Sequence, residues 1–195
     1  MRSSPAFSPG TWPPAMTDTA ALDLAERLRQ AIRDVPDFPK PGILFKDITP
    51  VLSEPSLYTA VVDHLAEAHA DVRIDRVVGI EARGFIFAAP LAVRLGAGFV
   101  PVRKPGKLPH RTVRVEYALE YGMDALEAHE DAIRPGDRVL LVDDLLATGG
   151  TAAAAAQLVE RLGGRVVGAA FVVELGFLDG RARLGGVPVR TIVTF

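Results

Sequence analysis

Residues Val139 to Thr151 read Val-Leu-Leu-Val-Asp-Asp-Leu-Leu-Ala-Thr-Gly-Gly-Thr, and these residue types suit the handling of a phosphorylated ribose. Leu140 to Val142 predicts a buried strand, with Asp143 and Asp144 at its end. Two adjacent carboxylates have little structural purpose there, because a buried charge without a partner is costly. The vicinal hydroxyls of a ribose offer two donors that match those acceptors. Ala147-Thr148-Gly149-Gly150-Thr151 follows, immediately before a helical segment. Glycine lets the backbone turn sharply and approach a ligand closely. The free N–H groups and dipole of a helix start favour an anion, and the threonine hydroxyls add donors. A monophosphate fits such a nest, and the lack of a lysine separates it from the Walker A loop. A threonine-capped turn would explain the last four residues alone, but not the strand, the Asp pair and the helix in this order.

Three further groups carry possible chemistry. Arg83, in Glu81-Ala82-Arg83-Gly84, falls where a short apolar run gives way to a helix, a place where a guanidinium can meet an anion. Arg103, Lys104 and Lys107 form a basic cluster at the start of a long polar stretch, which reads either as a solvated face or as an anion site. Pro105, Gly106 and Pro109 deny that stretch regular structure, as a mobile lid requires. His64, His69, His110 and His129 are scattered, and the five-residue step from His64 to His69 is wrong for joint metal ligation on one helix face. We read all four as structural.

The elements that must position these residues alternate along the chain. Order is expected to begin near Thr17, with Leu22, Ala25, Leu28 and Ile32 on one helix face. Prolines 36, 39 and 41 end that helix and introduce an extended piece, Ile43 to Ile48. Leu57, Val61, Leu65 and Ala68 mark a second amphipathic helix. Strands are predicted at Arg76 to Ile80, Gly98 to Val102, Arg138 to Val142 and Arg165 to Val173, with helices at Phe85 to Leu95 and Thr151 to Leu162. Arg103 to Tyr121 is expected to be long and irregular, and Val187 to Phe195 an edge strand. Continuous apolar strands alternating with helices predict an α/β fold, its mostly parallel central sheet flanked by helices.

Composition bounds the function. The 195 residues suit one domain, expected over 17–195, and 49% hydrophobic with 24% charged residues is ordinary for a globular protein. Residues 1–16 hold one arginine, several prolines and serines and no apolar core, so they are read as a disordered extension and not a secretory leader. Met16 is a candidate start. A net charge of -2 gives no global attraction to nucleic acid or to an anionic membrane. The absence of cysteine excludes disulfides, thiolate metal sites and a cysteine nucleophile.

Taken together, these blocks resemble one family. Val139 to Thr151 resembles the phosphoribosyl-diphosphate motif of the type I phosphoribosyltransferases. Phe38-Pro39-Lys40-Pro41-Gly42-Ile43-Leu44-Phe45-Lys46-Asp47-Ile48-Thr49 is similar to the base-binding segment of the adenine-specific branch. Glu81 to Phe85 is similar to its pyrophosphate loop, and Arg103 to Pro109 and Leu119 to Gly122 to the two ends of its flexible catalytic loop. The order is the family's, over roughly residues 34 to 185. Ala82 stands where the family often has serine, a minor departure.

The resemblance implies a reaction: adenine plus 5-phosphoribosyl-1-diphosphate gives AMP plus diphosphate. It also implies a small hood segment, and a cytoplasmic homodimer working in purine salvage, with magnesium held through substrate oxygens and water and no protein metal ligand. Carried over residue by residue, it gives Glu120 and Arg83 catalytic roles, Glu120 moving a proton at the purine imidazole ring and Arg83 meeting the diphosphate. Lys104 and Lys107 join Arg83 on the diphosphate, while Arg103 stays unassigned. Asp143, Asp144, Ala147, Thr148, Gly149, Gly150 and Thr151 hold the phosphoribosyl group. Phe45 and Leu175 clamp adenine, backbone groups around Leu44 and Lys46 read its edge, and Glu174 is placed near the ribose or base. In the family the peptide just before the arginine is often strained or cis.

Two alternatives stay open on these residues. One is transfer to hypoxanthine, guanine or xanthine, whose enzymes usually differ around Phe45 and Leu119 to Gly122. The other is a regulator that senses ribose diphosphates without catalysis. That regulator needs a DNA-binding module, and the residues before Asp34 supply one helix without a basic stripe.

Overall fold

The computed structural model of the chain describes residues 18–118 and 122–195. Helix α1 (Asp18–Ala31) is followed by the short strands β1 (Arg33–Pro36) and β2 (Leu44–Asp47), then α2 (Thr49–Ser53) and α3 (Pro55–Glu67). Next come β3 (Arg76–Ile80), α4 (Gly84–Leu95), β4 (Gly98–Val102) and the pair β5 (Thr112–Ala118) and β6 (Met123–His129). The chain closes with β7 (Arg138–Leu146), α5 (Gly150–Arg161), β8 (Arg165–Glu174), two short 3-10 turns at Gly176–Leu178 and Gly180–Leu184, and β9 (Val189–Thr194).

The central sheet has the order β4-β3-β7-β8-β9, and every pairing in it is parallel. Its inner strands β3, β7 and β8 are buried on both faces, which is why they read as mostly apolar runs. Along β7 the side chains divide by parity. Leu140 and Val142 join Leu24, Leu28, Leu65, Phe87 and Leu91 under α1, α3 and α4. Val139 and Leu141 join Val115, Leu126, Leu158, Val159 and Phe171 under α5 and the β5–β6 hairpin.

Two expectations are corrected. The Asp pair does not end its strand, because β7 runs on to Leu146, pairing Asp143 with Phe171, Leu145 with Val173 and Leu146 with Glu174 on β8. The buried Leu146 extends the alternation past the two carboxylates. Nor is the whole of Arg103 to Tyr121 irregular, since Thr112–Ala118 pairs antiparallel with Met123–His129. Thr112-Val113-Arg114-Val115-Glu116 alternates polar and apolar, and buried Val115 packs on the core while Arg114 and Glu116 face out. The hood is the β1–β2 ribbon, a separate antiparallel pair holding Phe45 opposite Val35. The proposed extension at 1–16 lies outside the described residues.

Candidate active site

The carboxyl ends of β3 and β7 open onto one cleft of about 260 Å³. Its lining takes Arg83 and Lys104 from one side, Asp143 and Asp144 from β7, and the complete run Ala147 to Thr151 from the loop into α5. This is where an open parallel sheet binds ligands, beyond the strand ends.

At the floor, Gly84 opens α4 with no room for a side chain: a Cβ there would lie 2.8 Å from both Asp143 Oδ1 and the Val142 carbonyl oxygen. That contact sets the start of α4, and therefore Arg83, directly over the Asp pair. Arg83 Nε donates to Asp144 Oδ2 at 2.9 Å, and Asp143 Oδ1 accepts the Asp144 N–H at 2.9 Å. Burial pushes the Asp143 carboxyl well above the usual carboxylate range, and the adjacent Asp144 pushes it further. Burial also raises Asp144, with the Arg83 guanidinium offsetting part of the effect. The pair therefore lacks the donors that would fully offset its burial, and a diol would provide them. The Glu81–Ala82 peptide, one bond ahead of the expected position, is cis.

The phosphate-loop geometry is as the residue types demand. Gly149 sits in the left-handed region at φ 79° and forms the N-cap of α5, without a capping side chain. The first N–H groups of α5 thus have no side-chain acceptor from the cap, the arrangement that suits an anion.

The basic cluster is organised by a residue that sequence reading passes over. The Glu81 side chain is 9% exposed and accepts from Lys107 Nζ at 2.9 Å, the Lys104 N–H at 2.9 Å and Arg103 at 3.2 Å. Burial works against its ionisation, but these hydrogen bonds outweigh that and hold its pKa at about 2. Glu81 thus folds the turn after β4 back onto the end of β3. Lys107 is thereby tied outside the cleft lining, whereas Lys104 is part of it. Lys104 Nζ is paired with Asp124 and bonds the Tyr117 hydroxyl at 3.0 Å. Burial opposes its charge, yet these bonds carry its pKa upward. The Thr151 hydroxyl lies 3.4 Å from that of Tyr117, so the hairpin, Lys104 and the phosphate loop meet.

The expected base-binding residues do not line the cleft, and of them Phe45 packs against a residue that does. The Phe45 ring lies under the Arg83 guanidinium, 5.0 Å from its centroid, and meets Phe38 edge-on at 5.0 Å. Leu44 is half exposed. Lys46 Nζ pairs with Asp34 at 2.6 Å and sits 4.0 Å over the Phe195 ring, so its side chain fastens the hood. Leu175 follows β8 half-buried, its N–H donating to the Leu146 carbonyl. Glu174 faces Arg181 and Thr191 and is not in the cleft lining. Glu120, Leu119 and Tyr121 lie outside the described residues. Of the histidines, His69 is buried with Nδ1 2.8 Å from the Leu65 carbonyl oxygen, and burial lowers its pKa.

The cleft thus gathers, at the end of a parallel sheet, an Asp pair, an arginine paired with it and a left-handed glycine at a helix start. The phosphoribosyl transferase domain family matches residues 49–185 of the chain. Adenine phosphoribosyltransferase of Myxococcus xanthus is 57% identical over 93% of this chain and 97% of that protein. The crystal structure of adenine phosphoribosyltransferase from Rhodothermus marinus is 57% identical with a TM-score of 0.86, covering 89% of this chain and 99% of that one. The enzyme of Saccharomyces cerevisiae, solved with an imino-altritol bisphosphate and adenine, is 46% identical with a TM-score of 0.82, covering 88% and 99%. The chain belongs to the adenine phosphoribosyltransferases, a branch of the type I phosphoribosyltransferase family.

Proposed function

We propose that the cleft binds 5-phosphoribosyl-1-diphosphate and that the enzyme transfers its phosphoribosyl group to adenine, releasing AMP and diphosphate. The observation that carries this reading is the continuity of the cleft floor, from Asp143 and Asp144 into the loop 147–151 at the start of α5. The 5′-phosphate lies on the N–H groups of that loop with Thr148 and Thr151, and the ribose diol on the Asp pair. Arg83 and Lys104 supply positive charge to the departing diphosphate as the anomeric carbon becomes cation-like. Lys107 joins them by exchanging Glu81 for the diphosphate. Magnesium, held through substrate oxygens and water, would supply further neutralisation of the leaving charge beside Arg83 and Lys104. Asp143 and Asp144 are the acidic groups of the cleft floor, with Glu81 beside them in the lining but held in its own ion pairs. Among the described residues no set of three or more acidic or histidine side chains gathers into a metal-binding group of the protein's own.

Adenine is held between Phe45 and Leu175, with backbone groups around Leu44 and Lys46 reading its edge and Glu120 moving the proton at its imidazole ring. The position of Phe45 beside Arg83 supports the base site, and the adenine bound by the yeast relative supports the choice of base. A cytoplasmic homodimer working in purine salvage belongs to the same proposal. The exposed Val93 on α4 and Phe99 on the edge strand β4 are apolar surface that a second copy would cover.

Diphosphate release is the test, measured with adenine, hypoxanthine, guanine and xanthine in turn, with and without magnesium. Adenine is expected to be the one efficient acceptor, and only with magnesium. Equal rates with hypoxanthine would overturn the base assignment. Glu120→Ala is expected to lower turnover by roughly a hundredfold or more with little effect on substrate binding, the range for a general acid–base group. Wild-type turnover in that variant removes Glu120 from the mechanism.

A further inference from the structure

The phosphate loop has a back as well as a front. On the side away from the cleft, the 3-10 turn Gly180–Leu184 presses backbone against backbone on Ala147 to Gly149. A Cβ on Gly180 would lie 2.2 Å from the Ala147 carbonyl oxygen, and one on Gly149 would lie 2.2 Å from the Gly180 carbonyl oxygen. Neither strand of this crossing can carry a side chain. The next residue, Arg181, is anchored. Its guanidinium donates to both Glu174 carboxylate oxygens at 2.6 Å, to the Thr191 hydroxyl at 2.9 Å and to the Val189 carbonyl at 3.0 Å. Glu174 is buried at the end of β8, opposite Leu146, the last strand residue before the loop. Two ends of one device therefore meet the loop: Leu146 holds it from the sheet and Gly180 from behind.

We propose that Gly180 and Arg181 are positioning residues for the 5′-phosphate cradle, with the fork from Arg181 to Glu174 holding the Gly180 backbone as the rigid backing of Ala147 to Gly149. The inference rests on the assignment of that loop to the 5′-phosphate. A cradle made of N–H groups binds through their directions, so a displacement of a few tenths of an ångström behind it weakens the contact without touching the ligand. Thr191 and Val189 supply further acceptors, which a single flexible ammonium cannot match, so lysine is a poor substitute for the planar fork. The device acts on one ligand group: Phe45, Arg83 and Lys104 lie on other elements, and Leu175, although next to Glu174, has its N–H held by the Leu146 carbonyl and not by Arg181.

The test compares wild type, Gly180→Ala and Arg181→Lys as full-length enzymes. Titration calorimetry with ribose 5-phosphate reads the cradle without any turnover. Steady-state kinetics give KM for each substrate, and diphosphate inhibition reports the Arg83 side. Both variants are expected to weaken ribose 5-phosphate binding and raise KM for the ribose donor about tenfold or more, the cost of losing one well-placed interaction. KM for adenine and inhibition by diphosphate should stay within about twofold of wild type. Unchanged ribose 5-phosphate affinity in a folded variant overturns the inference while leaving the activity intact, and so does an equal loss for all three ligands. A wild-type enzyme that binds no ribose 5-phosphate overturns the inference together with the loop assignment beneath it. Should Gly180→Ala fail to fold, Arg181→Lys, which removes no apolar contact, carries the test alone.

Discussion

At the scale of single residues, this site holds groups whose environments work against their folding. Asp143 is the clearest. Burial and Asp144 raise its pKa above the ordinary 3.8, so the native state keeps a proton that the unfolded chain gives up earlier. Stability from this group therefore falls as pH rises through the interval between the unfolded and folded values, and the penalty is complete above it. Asp143→Asn removes the penalty and keeps an oxygen for the Asp144 N–H. We expect the variant to melt higher than wild type at pH 7, by roughly 2–4 °C for each kcal/mol relieved. The gain should vanish below the unfolded pKa, where both states are protonated. Its binding of the ribose donor should weaken, since an amide is a poorer acceptor pair for a diol. Melting curves at pH 3 and 7 with donor titrations check this, and a variant less stable than wild type at pH 7 refutes it.

Gly84 shows how one residue couples two elements, and at this scale the prediction is mechanical. Gly84→Ala would place a methyl group 2.8 Å from the floor carboxylate and from backbone, neither of which can yield cheaply. Overpacking of this kind costs about 1–3 kcal/mol, and here it tilts α4 away from β7 and lifts Arg83 from Asp144. Stability and donor affinity should fall together, in contrast to Asp143→Asn. Denaturant melts and donor KM values measured side by side distinguish the two patterns.

Much of this arrangement is legible in the amino-acid sequence. The central strands, α4 and α5 announce themselves through apolar runs and glycine punctuation, and the Asp pair with Thr148 to Thr151 carries the ribose and phosphate reading. What stays hidden is tertiary. The hairpin's Val113 and Val115 alternate with polar neighbours, but the signal is short and lies beside Pro105, Gly106 and Pro109. Glu81 reads as a mere neighbour of Arg83, because nothing local says that residues 103–107 fold back onto it. Gly180 reads as one turn glycine among many, and only the crossing with Gly149 gives it meaning. Phe45 is tied to the base by resemblance alone, and its place beside Arg83 depends on how the hood ribbon docks.

Across the whole molecule, carboxylates held ionised tie its outlying parts together, and this fixes its response to acid. Asp47 braces the hood through Thr49 and Arg33, Asp124 holds Lys104 to the hairpin, and Glu174 holds Arg181 behind the phosphate loop. Hydrogen bonds from the partners lower all three pKa values, against the opposing effect of burial. Glu81, with its pKa at about 2, joins β3 to the turn after β4. A group depressed in the folded state stabilises above its unfolded pKa, and that contribution is lost as pH falls toward the folded value. Wild type should thus hold its melting temperature from neutrality to about pH 5, near the unfolded carboxylate values, and lose it steeply below. The rise in stability from Asp143 and Asp144 on acidification opposes this loss but is two groups against four. In Glu81→Gln the donors of Lys107, Lys104 and Arg103 lose their anion, so the variant should melt lower than wild type at pH 7. The difference should narrow between the unfolded value of 4.5 and the folded value of about 2, where wild type takes up the proton the variant never had. Thermal melts of both proteins across that window decide it, and a difference that stays constant down to pH 2 would show that Glu81 acts through packing and not through charge.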